Sequence, residues 1–146
     1  MRRSRLVAGL VFWYGAYQAV HVVVNGQALV MLSTGQALDF PAPPPPGGWT
    51  AQVMNFFGAM ASVDLANALL ALLFVWGFWQ QRRWHVWLGT VTLTVSVYAA
   101  LVFDLATWTS GAWTPANALT YWTINVAFVP IVFLFMMWGW QHISNR

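Results

Sequence analysis

The sequence predicts an all-α integral membrane protein, four transmembrane helices in an antiparallel up-down bundle with both termini cytoplasmic. Three observations carry that reading: an inventory that is 60% hydrophobic and 6% charged, four long apolar stretches, and the placement of the arginines. A soluble domain usually carries about 25% charged residues, so a water-facing surface cannot be assembled from this chain. The acids are three aspartates and the bases six arginines, with no Glu and no Lys. Six dispersed arginines do not form a phosphate-binding face, so nucleic acid is not an expected partner. There is no cysteine, which removes disulfides, thiolate ligands and cysteine nucleophiles.

The single domain of 146 residues divides into spans of about 5–32, 49–79, 84–107 and 115–142. Each exceeds the ~20 residues needed to cross ~30 Å of hydrocarbon, and the second and fourth are long enough to tilt. Backbone polar groups in lipid must be satisfied within the element, so the spans are helices. Arg2, Arg3 and Arg5 precede the first span, Arg82 and Arg83 join the second to the third, and Arg146 ends the chain. Four crossings put all six on one side, the cytoplasmic side by the positive-inside rule, and Asp39 on the other. Trp76, Trp79, Trp84, Trp87, Trp138 and Trp140 mark the inner interface, and Trp49, Trp108, Trp113 and Trp122 the outer. The amino end resembles a signal peptide in its basic start, but its apolar stretch is far longer than the roughly 7–15 residues of such a peptide. Span one is therefore expected to be retained. Arginine without lysine suggests a GC-rich bacterial genome, and the expected location is the inner membrane.

Between the first two spans, residues 33–48 carry Pro41, Pro43–Pro46, Gly47 and Gly48. Four consecutive prolines favour a stiff, extended polyproline II segment without backbone donors, expected to lie over the bundle as a lid or spacer. The other connections are short, so sequential helices are expected to be antiparallel neighbours.

Polar side chains in a membrane tend to face the bundle interior, so their spacing carries the functional reading. Tyr14, Gln18, His21 and Asn25 share one face of span one. Asp64 and Asn67 share a face of span two, with Asn55 and Ser62 opposite. Asn117, Tyr121 and Asn125 follow at four-residue steps on span four. Span three offers Thr90, Thr92, Thr94, Ser96 and Tyr98, read mostly as bonding between helices. At ~1.5 Å per residue, His21, Asp64, Tyr98 and Asn125 all lie about 21–25 Å from the inner end. An aspartate at that depth is either protonated or paired with a cation, and His21 is the internal partner available. The expected site is a His21–Asp64 contact flanked by Asn67, Asn125, Gln18, Tyr98 and Asn25. Asp104 is expected near the outer interface, solvated. Gly58, Ser62 and Ala66, spaced by four, suggest close helix packing.

Such a layer suits a pocket binding a small amphipathic or protonatable ligand. The alternatives are a non-catalytic accessory subunit of a larger membrane complex, a lipid- or quinone-directed enzyme, and a proton-coupled carrier using the His–Asp pair, which would need a homodimer. No cofactor is expected beyond the chance that His85 and His142 converge as axial ligands of a haem, and no metal site is expected. Pro130 is expected to bend span four below the polar layer.

The absence of native cysteine makes the topology directly testable. A single cysteine at Gln81 should react with an impermeant maleimide only from the cytoplasmic side, and one at Gln36 or Thr109 only from the opposite side. Labelling of Gln81→Cys in intact cells would overturn the assignment of sides.

Overall fold

A computed structural model describes residues 4–38 and 42–143, with backbone alone for 141–143. Arg2, Arg3, Asp39, Pro41, Arg146 and the side chain of His142 lie outside the described residues. The protein is all-helical: α1 (Arg5–Ser33), α2 (Ala51–Trp79), α3 (His85–Thr109) and α4 (Ala118–Ile143). All four are long and apolar enough to cross a membrane. None has a strong polar face, the pattern expected of helices surrounded by lipid or protein on every side.

Local chemistry fixes the ends. Ser4 caps α1 by accepting from the Val7 N–H at 3.1 Å, and Thr50 caps α2 by accepting from the Val53 N–H at 3.3 Å. Three helices finish in the same paired arrangement of backbone bonds. Gln36 N donates to Met31 O, Arg82 N to Gly77 O, and Ala112 N to Thr107 O, each with a shorter bond nested inside. That arrangement needs one residue at positive φ. Gly35 and Gly111 supply it after α1 and α3, but after α2 the position is Gln81 at φ 55°. Thr114 O accepts from both Asn117 N and Ala118 N, so a turn at Pro115–Asn117 precedes α4 and the helix starts later than the sequence suggests.

The helices meet in the cyclic order α1, α2, α3, α4, and neither diagonal pair is in backbone contact. One end of the bundle is filled with large side chains. Val7 and Val11 of α1, Phe74 and Phe78 of α2, Leu88 and Leu93 of α3, and Ile131, Leu134 and Trp138 of α4 form its core. Phe74 and Trp138 meet edge to face at 5.2 Å, against the backbone of Gly89. A methyl group added there would lie 2.6 Å from the Phe74 ring and 2.9 Å from Trp138. Trp138 was expected in the interfacial belt. It is buried instead, its indole donating to Thr90 Oγ1 at 3.3 Å, while Trp76, Trp79, Trp84, Trp87 and Trp140 stay exposed.

The opposite end is closed by the proline segment. Pro45 O accepts from Gly48 N at 2.9 Å, and Gly47 has a φ of 93°, a turn that suits Pro46 followed by glycine. Tyr121 Oη donates to Pro43 O at 2.8 Å and Asn117 Nδ2 to Pro44 O at 3.0 Å. Ala42 and Trp49 pack with Ala112, Tyr121 and Trp113, and Leu38 with Ala28 and Ala61. The segment is thus a strap across the bundle's mouth, anchored through carbonyls that have no competing N–H on their own residues. The small-residue stripe on α2 is not a packing seam. Gly58 lies against Leu32, but Ser62 and Ala66 face outward.

Because Gln81 holds a conformation that costs a non-glycine residue about 1–2 kcal/mol, Gln81→Gly should stabilise the protein. After the entropy glycine adds to the unfolded chain, the gain should be about 0.5–1 kcal/mol. Denaturant titration of the detergent-solubilised protein measures it.

Candidate functional site

Between the aromatic end and the strap the interior is not filled. A cavity of about 360 Å³ runs from Gln18, Asn67 and Ser96 at its floor to Leu38, Ala42 and Trp49 under the strap. Its origin is compositional. At this level the inward positions include five alanines, Ala28, Ala61, Ala99, Ala100 and Ala127, among larger side chains such as Phe57 and Phe128. With the helices held apart by Phe74, Leu93 and Trp138 at one end and by the strap at the other, alanines leave volume unoccupied.

The floor is a hydrogen-bonded knot around Ser96. Gln18 Nε2 donates to Ser96 Oγ at 3.0 Å and Asn67 Nδ2 at 2.9 Å. Those two bonds fill the hydroxyl's lone pairs, so its own proton goes to Tyr14 Oη, 2.9 Å away. One small side chain thereby joins α1, α2 and α3, and every member of the knot is buried. Among the other hydroxyls in the middle of α3, only Thr90 reaches another helix, accepting from the Trp138 indole of α4. Thr90, Thr92 and Thr94 donate back to carbonyls of their own helix at 2.8–3.0 Å, an economical way to hide a hydroxyl in an apolar setting. Tyr98 is 67% exposed and points away from the cavity. Its expected place is taken by Ser96, because helical rotation over two residues carries a side chain to the far face.

The walls carry the remaining polar groups. His21 and Asp64 both line the cavity, yet among the described residues no hydrogen bond or ion pair joins them. His21 packs on Tyr17 of the preceding turn with ring centres 4.6 Å apart, and Tyr17 in turn meets Phe128 at 5.8 Å. Asp64 accepts no hydrogen bond from any described residue, and Tyr17 lies within reach of its charge and that of Asp104. Asp104, expected in solvent, belongs to this wall: Asn125 Nδ2 donates to its Oδ1 at 3.1 Å and to Tyr121 O at 3.1 Å. A signal for it was present, since Ser96, Ala100 and Asp104 are spaced by four and share the inward face of α3. Asn25 is nine-tenths buried in the same wall, and its Nδ2 has no partner among the described residues.

The cavity has one exposed rim. Of the described side chains lining it, only Val20 on α1 and Thr123 on α4 are exposed on the outside of the bundle, which places an opening sideways between these helices. The same seam is bridged by Trp13, whose indole donates to Ala127 O at 3.0 Å. Pro130 lies inside α4 and has no N–H for the Val126 carbonyl, so the helix ladder is already broken beside the carbonyl Trp13 uses.

At the aromatic end, a ring nitrogen of His85 bonds the Arg82 carbonyl, and the ring packs between Phe78 and Trp138. Its surroundings are those of a structural side chain at a helix start. Among the described residues no cluster of three or more His or Asp groups is placed to hold a metal ion.

The fold and site define a bundle of four helices, each long and apolar enough to cross a membrane, around a largely apolar interior cavity that carries a few polar groups. No family model matches the chain, and comparison with curated proteins and with solved structures likewise found no significant match.

Ser96→Ala leaves Tyr14, Gln18 and Asn67 short of a partner at once. It should cost about 1–3 kcal/mol, the lower part of that range being usual inside membranes. Thr94→Ala, whose hydroxyl serves only its own helix, should change stability by less than about 0.5 kcal/mol. Equal losses for the two in denaturant unfolding would mean that the knot does not tie the helices together.

Proposed function

We propose that this is a small polytopic protein of the bacterial inner membrane whose cavity binds a small amphipathic or protonatable ligand. In this reading the helices run up and down through the bilayer with both termini in the cytoplasm. The arginine distribution supports that orientation, as does the meeting of Val7, Phe78, Leu88 and Trp138 in one cluster.

The observation that carries the functional reading is the cavity itself, about 360 Å³ with unpartnered polar groups in an otherwise apolar wall. Its size falls in the ~300–1,000 Å³ range of small-molecule sites. A few polar groups converging among aromatic side chains is the usual composition of a pocket that fixes a ligand's orientation. An accessory subunit, the competing reading, would instead be packed tightly at the level of Asp64.

Native mass spectrometry of the detergent-purified protein tests this reading. The wild type should retain a small molecule. Asp64→Asn and His21→Ala should lower its occupancy roughly tenfold, the equivalent of one lost hydrogen bond to a polar head. Ala61→Leu, which fills the cavity without touching a polar group, should also release it. A wild type that carries no small molecule but co-purifies with a larger membrane protein would favour the accessory subunit.

A further inference from the structure

The cavity wall is electrostatically one-sided. Among the described residues it holds the carboxyl groups of Asp64 and Asp104 and no arginine; the chain has no lysine. Asp104 keeps one oxygen on Asn125, whereas Asp64 accepts nothing from the described residues. Around them stand Tyr17, Phe57, Phe103 and Phe128. Aromatic faces attract cations, the more strongly where water is excluded. An anionic head would meet two carboxyl groups, with His21, stacked on Tyr17, the one basic side chain among the described residues of the wall. A neutral head would leave a carboxylate in the membrane with no counter-charge.

We infer that the ligand of this cavity is an organic ammonium ion bearing an apolar tail. This rests on the ligand reading above and names the chemistry of the head. The ammonium N–H groups donate to Asp64 and to the free oxygen of Asp104. The tail lies along the aromatic wall and leaves through the rim at Val20 and Thr123, the side on which the cavity meets the bilayer. Asn25 Nδ2, nine-tenths buried in the same wall with no partner among the described residues, asks for an acceptor, so a hydroxyl or carbonyl on the ligand adds a contact. Amino-headed phospholipids share the ammonium, but their phosphate would enter a wall without arginine or lysine. A free amphipathic amine is the better fit.

The test uses probes that share one decyl chain: decylamine, decanol and decanoate, added to the whole protein in maltoside micelles and read by native mass spectrometry. Decylamine should be retained about ten- to a hundredfold more tightly than decanol, the range of one charge-assisted bond, and decanoate should not be retained. Asp64→Asn should remove the preference for the amine while leaving decanol binding unchanged, which also shows that the variant is folded. Equal retention of decylamine and decanol by the wild type would overturn the ammonium inference and leave the pocket standing. If no probe is retained, and Ala61→Leu changes nothing, the pocket reading falls with it. In phosphatidylglycerol nanodiscs, displacement of decylamine by added phosphatidylethanolamine would assign the ammonium to a lipid headgroup. No displacement supports the free amine.

Discussion

Ser96 Oγ is the point on which the bundle's geometry turns. A polar atom in the middle of an apolar bundle has no water to fall back on, so its partners must come from other helices and in fixed positions. Gln18 and Asn67 approach it from α1 and α2, and Tyr14 receives its proton, which sets the relative height and rotation of three helices together. Threonine would add a methyl group where Gln18 and Asn67 already crowd, and alanine would strand three polar groups. The floor of the cavity is therefore rigid for the same reason that it is polar. Above it α1 to α3 are fixed, while α4 is held by the aromatic end, the strap, the Asn125–Asp104 bond to α3 and the Trp13 indole bond from α1.

Much of this was legible in the sequence, and the misses have definite causes. Span number and approximate limits follow from hydropathy, because a helix that crosses lipid has little freedom in length or composition. The inward faces of α1 and α2 follow from the spacing of Tyr14, Gln18, His21, Asn25, Asp64 and Asn67. Span three was harder, because hydroxyls recur every second residue along Thr90–Tyr98 and helical periodicity does not choose among them. Packing chose Ser96, since Thr92 and Thr94 satisfy themselves on their own backbone and Tyr98 falls on the outward face.

The displaced aspartate shows a second limit. Depth along a span was used to place Asp104 in solvent, but the strap covers that end of the bundle and extends the enclosed region outward. Distance from a helix end measures burial only where nothing folds back over the end. The missing His21–Asp64 contact has a related origin. Equal depth on two helices places groups at one level without bringing them together, and an interior of alanines keeps them apart. Small residues between polar ones were the unread signal for a cavity.

The seam between α1 and α4 has a kinetic side. On the proposed reading, Asp64 and Asp104 would both hold an occupant and slow its departure, because their contacts must break before it can leave. For any occupant that departs past Val20 and Thr123, dwell time depends on how often that seam widens. The seam is bridged by Trp13 on Ala127, beside the backbone bond that Pro130 omits. On that reading Trp13 would act on entry and exit alike, so a change there would shorten residence time and leave affinity nearly untouched.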